Sequence, residues 1–133
     1  RPILGAWSVG IRFGGDIVKP VDLATIAAAA KLNARGTTIA RVDRLDIAVS
    51  RFSKHPRWEF HPEGDELLIG ISGELQITLL LDDGPETSVV RPGEVVVVPR
   101  GVWHSPVPLG EVSLLSMAEY AGTRVSNEDD PRV

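Results

Sequence analysis

The stretch that decides the fold reads Gly93-Glu94-Val95-Val96-Val97-Val98-Pro99-Arg100-Gly101-Val102-Trp103-His104. Four consecutive valines are typical of a short buried strand, because β-branched side chains pack well on a pleated surface. Pro99 and Gly101 predict a turn directly after it, since proline fixes φ and glycine tolerates positive φ. His104 then leaves this turn as a polar side chain next to a buried strand.

A second stretch with candidate polar residues lies earlier in the chain, before Gly93. On an extended chain, residues two apart share a face, so Glu59 and His61 point the same way. Glu66 lies beyond the turn signal at residues 62–65 and can fold back to the same pocket. His104 can join them from a distant part of the chain, which makes the four residues a candidate set of metal ligands.

Most of the chain is predicted to be β-structure. Asp22 can cap one helix over Leu23 to Leu32, which Asn33 or Gly36 can end. Short β-branched segments, separated by Gly and Pro turn signals, follow at Thr37–Val42, Leu45–Phe52, Arg57–His61, Glu66–Ile71, Glu74–Leu81, Thr87–Arg91, Glu94–Val98 and Val112–Met117. Regularly spaced short strands after a single helix predict an all-β antiparallel barrel or sandwich.

The length of 133 residues is that of one domain. We expect an irregular N-terminal arm over residues 1–20, a single domain over 21–126 and a polar C-terminal tail over 127–133. The chain opens with Arg1 and not with Met, so a targeting segment cannot be judged from this sequence.

Composition excludes several classes of function. The chain has no Cys, which excludes disulfide scaffolds, thiolate zinc sites, Fe–S clusters and cysteine nucleophiles. A reducing compartment permits this absence, so we expect a cytoplasmic protein. A net charge of −4 argues against a nucleic-acid partner, because phosphate binding needs a basic face. The apolar runs are far shorter than the ~20 residues of a membrane-spanning helix, so we expect a soluble protein without a membrane partner.

From Arg57 to His104 the sequence resembles the cupins. The first cupin motif, H-x-H, three or four residues, E, six residues, G, is matched by Glu59, His61, Glu66 and Gly73, with Glu59 in the place of the first histidine. The second motif, G, five residues, P-x-G, two residues, H, is matched in full by Gly93, Pro99, Gly101 and His104. The chain departs from the pattern at Ser53, where a glycine is expected, and at Pro108, where an asparagine is expected. The early helix and the stretch from Gly122 to Val125 are similar to small mannose-6-phosphate isomerase-like cupins.

This resemblance implies a double-stranded β-helix, the cupin jelly-roll barrel, with one short N-terminal helix. It implies a divalent metal ion inside the barrel mouth, held by Glu59, His61, Glu66 and His104. Two imidazoles and two carboxylates suit Fe, Mn, Ni or Zn. For Glu59 four roles are open: metal ligand, general base beside the metal, partner of Arg57, or the mark of a barrel that has lost its metal.

Two hypotheses about function follow. The first is a metal-dependent dioxygenase, isomerase or lyase acting on a small oxygen-bearing molecule, and the second is a non-catalytic cupin that binds a small ligand or a metal as a sensor or storage module. Trp58 and Phe60 point away from the candidate ligands, so cover by the arm or by a second copy is expected for them. On this ground we predict a homodimer.

Overall fold

The computed structural model describes residues 19–133. The expected arm lies almost wholly outside the described residues. This part of the chain contains one helix and eight strands: α1 (Leu23–Ala29), β1 (Thr37–Val42), β2 (Leu45–Phe52), β3 (Trp58–Phe60), β4 (Glu66–Leu81), β5 (Gly84–Val90), β6 (Val95–Val98), β7 (His104–Ala118) and β8 (Arg124–Ser126). No helix within residues 19–133 is long and apolar enough to cross a membrane.

The long strand β7 organises the sheet. Its C-terminal half lies between β2 and β4, with Leu114 opposite both Ser50 and Gly70. Its first residue, His104, lies opposite Glu59 of β3 and Leu79 of β4. All strand pairs are antiparallel, and the sheet curls so that β4 also pairs with β5 and β6. This arrangement confirms the predicted cupin β-barrel and brings β3, β4 and β7 together at one end.

Two apolar clusters stabilise the fold. The first fills the barrel and consists of Phe52, Leu68, Leu75, Ile77, Val90, Val98, Val112 and Leu114. The second joins α1 to the β1–β2 side of the sheet and consists of Ile26, Ala27, Ile39, Ala40 and Val49. The predicted N-cap is confirmed, because Asp22 Oδ2 accepts a hydrogen bond of 2.9 Å from Thr25 N. The helix ends at Ala29, earlier than predicted.

Gly73 explains why two predicted strands are one. β4 runs without a break through residues 71–74, and its register with β7 shifts on both sides of Ser72. Gly73 has a φ of +72°, and a Cβ atom there would collide with the carbonyl oxygen of Glu111. The glycine thus lets the strand bend through a bulge instead of ending in a turn.

The C-terminal tail packs on β3. The indole of Trp58 donates a hydrogen bond to the Glu128 carbonyl, and Asn127 Oδ1 accepts one from Arg57 N. Phe60 lies against the ring of Trp103. The polar tail is therefore part of the domain surface, and Trp58 is buried by residues of its own chain.

Candidate metal centre

The strands bring the four candidate ligands to one place. Glu59 lies on β3 and is the direct register partner of His104, the first residue of β7. His61 follows β3, and Glu66 is the first residue of β4. His61, Glu66 and His104 are buried, and Glu59 is partly buried. One donor atom from each side chain lies within 4.8 Å of the other three.

The two carboxylates stand in equivalent positions relative to the two imidazoles. His61 Nε2 lies 3.1 Å from Glu59 Oε1 and 3.2 Å from Glu66 Oε1. His104 Nε2 lies 3.4 Å from each of the same two oxygens. Glu59 thus occupies a donor position that matches that of Glu66.

Hydrogen bonds orient both imidazoles. The Thr123 hydroxyl donates to the Tyr120 carbonyl at 2.7 Å, so its oxygen accepts from His61 Nδ1 at 2.8 Å. His104 Nδ1 donates to the Val102 carbonyl at 3.3 Å. A neutral imidazole that donates through Nδ1 has its lone pair on Nε2. Both Nε2 atoms, which face the carboxylates, are then the atoms through which the two histidines could bind a metal.

Glu66 is oriented in the same way. The Tyr120 hydroxyl donates a hydrogen bond of 2.9 Å to Glu66 Oε2, which leaves Oε1 for the cluster. Burial and the charge of Glu66 raise the pKa of Tyr120, so this phenol remains a donor at any physiological pH. The edge of the Tyr120 ring also packs against His61, with ring centroids 5.2 Å apart.

The cluster is held together by opposite charges. Burial would lower the pKa of both histidines, but Glu59 and Glu66 outweigh it and raise the pKa of His61 and of His104 to about 9. Burial also opposes ionisation of the glutamates, yet the imidazoles hold the pKa of both carboxyls below its usual range. Without an ion, the four groups form two imidazolium–carboxylate pairs at neutral pH.

The arrangement fits a divalent metal ion. His104 Nε2 is buried and makes no hydrogen bond within the described part of the chain. Ligand atoms about 2.1 Å from one ion lie about 3 Å or more from one another, which the distances between these donors match. Two carboxylate charges also balance the charge of the ion. The cluster could therefore hold a metal.

A cavity of about 860 Å³ opens onto the cluster. Glu59, Glu66 and His104 line it, together with apolar side chains that include Phe52, Leu68 and Leu114. This volume is in the range of small-molecule sites. A ligand of more than a few atoms thus has room beside the four donors.

The structure brings together all four residues that the sequence predicts. It gives Arg57 another partner, since this guanidinium pairs with Asp129 and not with Glu59. His55 is partly buried, with its Nε2 atom 3.7 Å from Glu59 Oε2. Sequence reasoning did not find the roles of Tyr120 and Thr123. The signal for them is Gly122, a turn residue with positive φ that lies between them.

Comparisons with known proteins agree with this fold. The cupin domain family model matches residues 51–117, half of the chain. YdbB of Bacillus subtilis, an uncharacterised protein, is 29% identical over 86 residues, which make up 65% of this chain and 74% of YdbB. A cupin-2 domain protein from Shewanella frigidimarina has a similar structure, with a TM-score of 0.65 and 21% identity, over 74% of this chain and 92% of that one. Oxalate decarboxylase from Bacillus subtilis, a protein with Mn(II) centres, matches 61% of this chain with 23% of its own, at a TM-score of 0.54 and 18% identity.

Proposed function

The chain belongs to the cupin family, and on that premise we propose that Glu59, His61, Glu66 and His104 bind a divalent metal ion. The observation that carries this proposal is the equivalence of Glu59 Oε1 and Glu66 Oε1, each 3.1–3.4 Å from both imidazole Nε2 atoms. We propose further that the protein is a metal-dependent enzyme, a dioxygenase, isomerase or lyase, and that it acts on a small oxygen-bearing molecule in the adjoining cavity.

The donor set limits the choice of metal. Two imidazoles and two carboxylates suit Mn, Fe, Ni and Zn, and they disfavour Cu(I), which prefers sulfur ligands. The Mn(II) centres of oxalate decarboxylase, which shares the fold, support manganese as the first ion to test. When bound, such an ion polarises an oxygen atom of the substrate as a Lewis acid.

The protein's own groups then have distinct tasks. Thr123 and the Val102 carbonyl fix the two imidazoles, and Tyr120 fixes Glu66. Glu59 is the candidate with two possible roles, since it lines the cavity as well as the cluster. We propose the ligand role for it, because its Oε1 atom faces both imidazoles; a general base would instead direct a free oxygen toward the substrate.

One observation favours the non-catalytic alternative. His61 Nε2 hydrogen-bonds Glu59 Oε1, and Tyr120 hydrogen-bonds Glu66, so every member of the cluster except His104 has a hydrogen-bond partner there without an ion. Such a cluster can stabilise a barrel that binds a small ligand without transforming it. The resemblance to mannose-6-phosphate isomerase-like cupins stays a prediction, and isomerisation is one of the reactions to assay.

Two substitutions of Glu59 test the proposal. Glu59→Gln keeps the size of the side chain but removes its charge, and we expect Mn²⁺ affinity to fall by at least the roughly 10- to 100-fold typical of changes around a metal site. Glu59→His restores the three-histidine, one-glutamate set and should retain metal. Glu63→Gln, at an exposed position outside the cluster, is the control for loss of one charge.

Metal content and turnover of hydroxy acids, keto acids, sugars and catechols are measured for each variant. Normal metal content with abolished turnover in Glu59→Gln would identify a base instead of a ligand. If both variants keep wild-type metal affinity, the site reduces to His61, Glu66 and His104. Metal binding without turnover of any compound would favour the non-catalytic cupin.

We also propose a homodimer, but on a different surface from the one around Trp58 and Phe60. Within residues 19–133, α1 packs on β1, on β2 and, through Ile71, on β4, but its cluster includes no residue of β6 or β7. Directly opposite residues of antiparallel strands lie on the same face of the sheet. The register therefore places an uncharged apolar patch across β6, β4 and β7. The patch consists of Val95, Val97, Leu67, Ile69, Leu115 and Met117. Each copy has a net charge of −4, but the patch itself contains no charged residue, so two copies can meet there without placing like charges opposite each other.

Analytical ultracentrifugation tests the dimer. We expect a dimer for the wild type and a monomer for Val97→Glu, which places a charge in the patch at a residue that is 50% exposed. Val107→Glu, at a residue 44% exposed on another part of the sheet, is the control and should stay dimeric. A wild-type monomer at high micromolar concentration would contradict the proposal.

A further inference from the structure

Three basic side chains line the same cavity as the metal cluster: Lys31, Arg35 and Lys54, here called the basic rim. The chain has only three lysines, and two of them belong to this rim. All three residues are exposed, and none forms an ion pair within residues 19–133. Their charges are thus available to a molecule that enters the cavity.

Two side chains fix the backbone of the rim. Asn33 Oδ1 accepts hydrogen bonds from Ser53 N at 2.8 Å and from Lys54 N at 3.3 Å, which ties the segment after α1 to the segment after β2. Arg51 donates to the Ala30 carbonyl at 3.2 Å and pairs with Glu111. Lys31 and Lys54 therefore stand on two segments held side by side.

The acidic groups of the cavity do not neutralise the rim. Glu59 and Glu66 face the two imidazoles, and a bound divalent ion would balance their charges. Asp46, the remaining carboxylate in the cavity lining, forms an ion pair of 2.8 Å with Arg41. The described lining thus carries uncompensated positive charge, with or without a metal.

Apolar side chains make up much of the rest of the cavity. Phe52, Leu68 and Leu114 are 7%, 5% and 5% exposed and belong to the barrel core. They form an apolar wall of the cavity, whose lining also includes three of the four candidate metal ligands and the basic rim. A volume of about 860 Å³ is much more than a two-carbon acid needs.

We propose that the substrate or ligand of this cavity is an organic anion with an apolar body, whose anionic group meets Lys31, Arg35 and Lys54 while its body lies against Phe52, Leu68 and Leu114. This inference rests on the proposed function for the role of the cluster, at which the other end of the molecule presents its oxygen. The anionic group itself is bound by the rim and not by the metal.

Hexanoate and hexanamide serve as the probes, since they share a body and differ in charge. Each is titrated into the full chain, metal-free and Mn²⁺-loaded, and binding is followed by ¹H–¹⁵N NMR. Hexyl phosphate is a third probe, which distinguishes a carboxylate from a phosphate as the preferred anion. The rim variant is Lys31→Gln/Lys54→Gln. Its control is Lys19→Gln/Arg44→Gln, which removes the same charge at exposed positions outside the cavity lining.

We expect hexanoate to bind more tightly than hexanamide in both metal states and the preference to weaken with salt. In the rim variant, hexanoate or hexyl phosphate affinity should fall roughly threefold to tenfold, as expected for two exposed charge contacts, with hexanamide unchanged. The control variant should behave as the wild type. Equal affinities for the charged and neutral probes, no binding of any probe, or equal hexanoate affinity in the rim and control variants would overturn the proposal.

Two results separate this inference from the proposed function. Hexanoate binding that requires Mn²⁺ and ignores the rim variant would place the carboxylate at the metal, which overturns the rim assignment alone. Absence of Mn²⁺ binding in the wild type would overturn the proposed function, whereas rim-dependent hexanoate binding in that metal-free protein would still support the basic rim.

Discussion

Tyr120 hydrogen-bonds Glu66 across 54 residues of sequence, with its hydroxyl 2.9 Å from Glu66 Oε2. Its ring also packs edge-on against His61. One side chain from the segment between β7 and β8 therefore orients a candidate ligand on β4 and contacts another that follows β3. The geometry of the candidate metal centre thus depends on a part of the chain that contains none of the four candidate ligands.

The first prediction removes this hydroxyl. Tyr120→Phe keeps the ring packing on His61 but frees Glu66 Oε2, so we expect Mn²⁺ affinity to fall by about tenfold or more while the fold is retained. Isothermal titration calorimetry measures the affinity. Thr87→Val, which removes a hydroxyl from the exposed Thr78–Thr87 pair, is the control. Unchanged affinity in Tyr120→Phe would show that Glu66 needs no support from this residue.

The second prediction concerns the partner of His61. Thr123→Val removes the oxygen that accepts from His61 Nδ1 and should lower Mn²⁺ affinity, again by about tenfold. Thr123→Ser keeps that oxygen and should restore affinity close to that of the wild type. If serine binds metal as weakly as valine, the methyl group and not the hydrogen bond is what matters at this position.

The cluster could be predicted from sequence, but its supports could not. The alternation of Glu59 and His61 and the turn before His104 are local patterns, and they predict side chains that the structure brings together. Tyr120 and Thr123 act only because the chain folds back after β7, which depends on long-range packing. The basic rim depends in the same way on Asn33, whose side chain joins two segments 20 residues apart.

The strand boundaries also divide into those that local sequence patterns predict and those that long-range pairing decides. β1 and β2 match their predicted bounds because alternation and turn residues are local signals. β7 begins at His104, eight residues before its predicted start, although Pro106 and Pro108 lie inside it. Proline donates no hydrogen bond to a sheet, so sequence reasoning disfavours strand there; the pairing with β4 overrides that preference.

The third prediction tests the requirement for glycine at residue 73. Gly73→Ala introduces a Cβ into a positive-φ position and against the Glu111 carbonyl, so we expect a loss of about 2 kcal/mol or more in the free energy of unfolding. Gly64→Ala is the matched control, because nothing lies within 4 Å of its added Cβ and its φ is not positive. Urea denaturation measures both. Equal stability of the two variants would contradict the role of the bulge.

The fourth prediction is that metal binding releases protons. Because His61 and His104 have a pKa of about 9 without an ion, both are protonated at pH 7 and must lose a proton to bind metal. Calorimetry in two buffers of different ionisation enthalpy should therefore show close to two protons released per ion at pH 7. Affinity should rise by up to about a hundredfold per pH unit between pH 7 and 8. Release of no protons would mean that both imidazoles are already neutral.

The last prediction is the pH dependence of stability in the metal-free protein. The folded-state pKa of His61 and His104, about 9, lies above the ordinary value of 6.5, so their stabilisation is complete below about pH 6.5 and is lost as the pH rises toward 9. The pKa of Glu59 and Glu66 is lowered from 4.5, so their stabilisation is present above that pH and is lost as the pH falls. The melting temperature of the metal-free protein should thus be highest between about pH 4.5 and 6.5 and should decline above it.

Bound metal removes the alkaline part of this profile. Neutral imidazoles bind the ion, and above about pH 6.5 the imidazoles of the unfolded chain are neutral too, so the stability of the Mn²⁺-loaded protein should stay nearly level from about pH 7 to 9, over the range in which the metal-free protein loses stability. Each pKa unit corresponds to about 1.4 kcal/mol, so the loss in the metal-free protein amounts to several kcal/mol at most. Differential scanning calorimetry of both forms across pH 5 to 9 measures the difference. Parallel profiles for the two forms would contradict both the paired cluster and its exchange of protons for a metal ion.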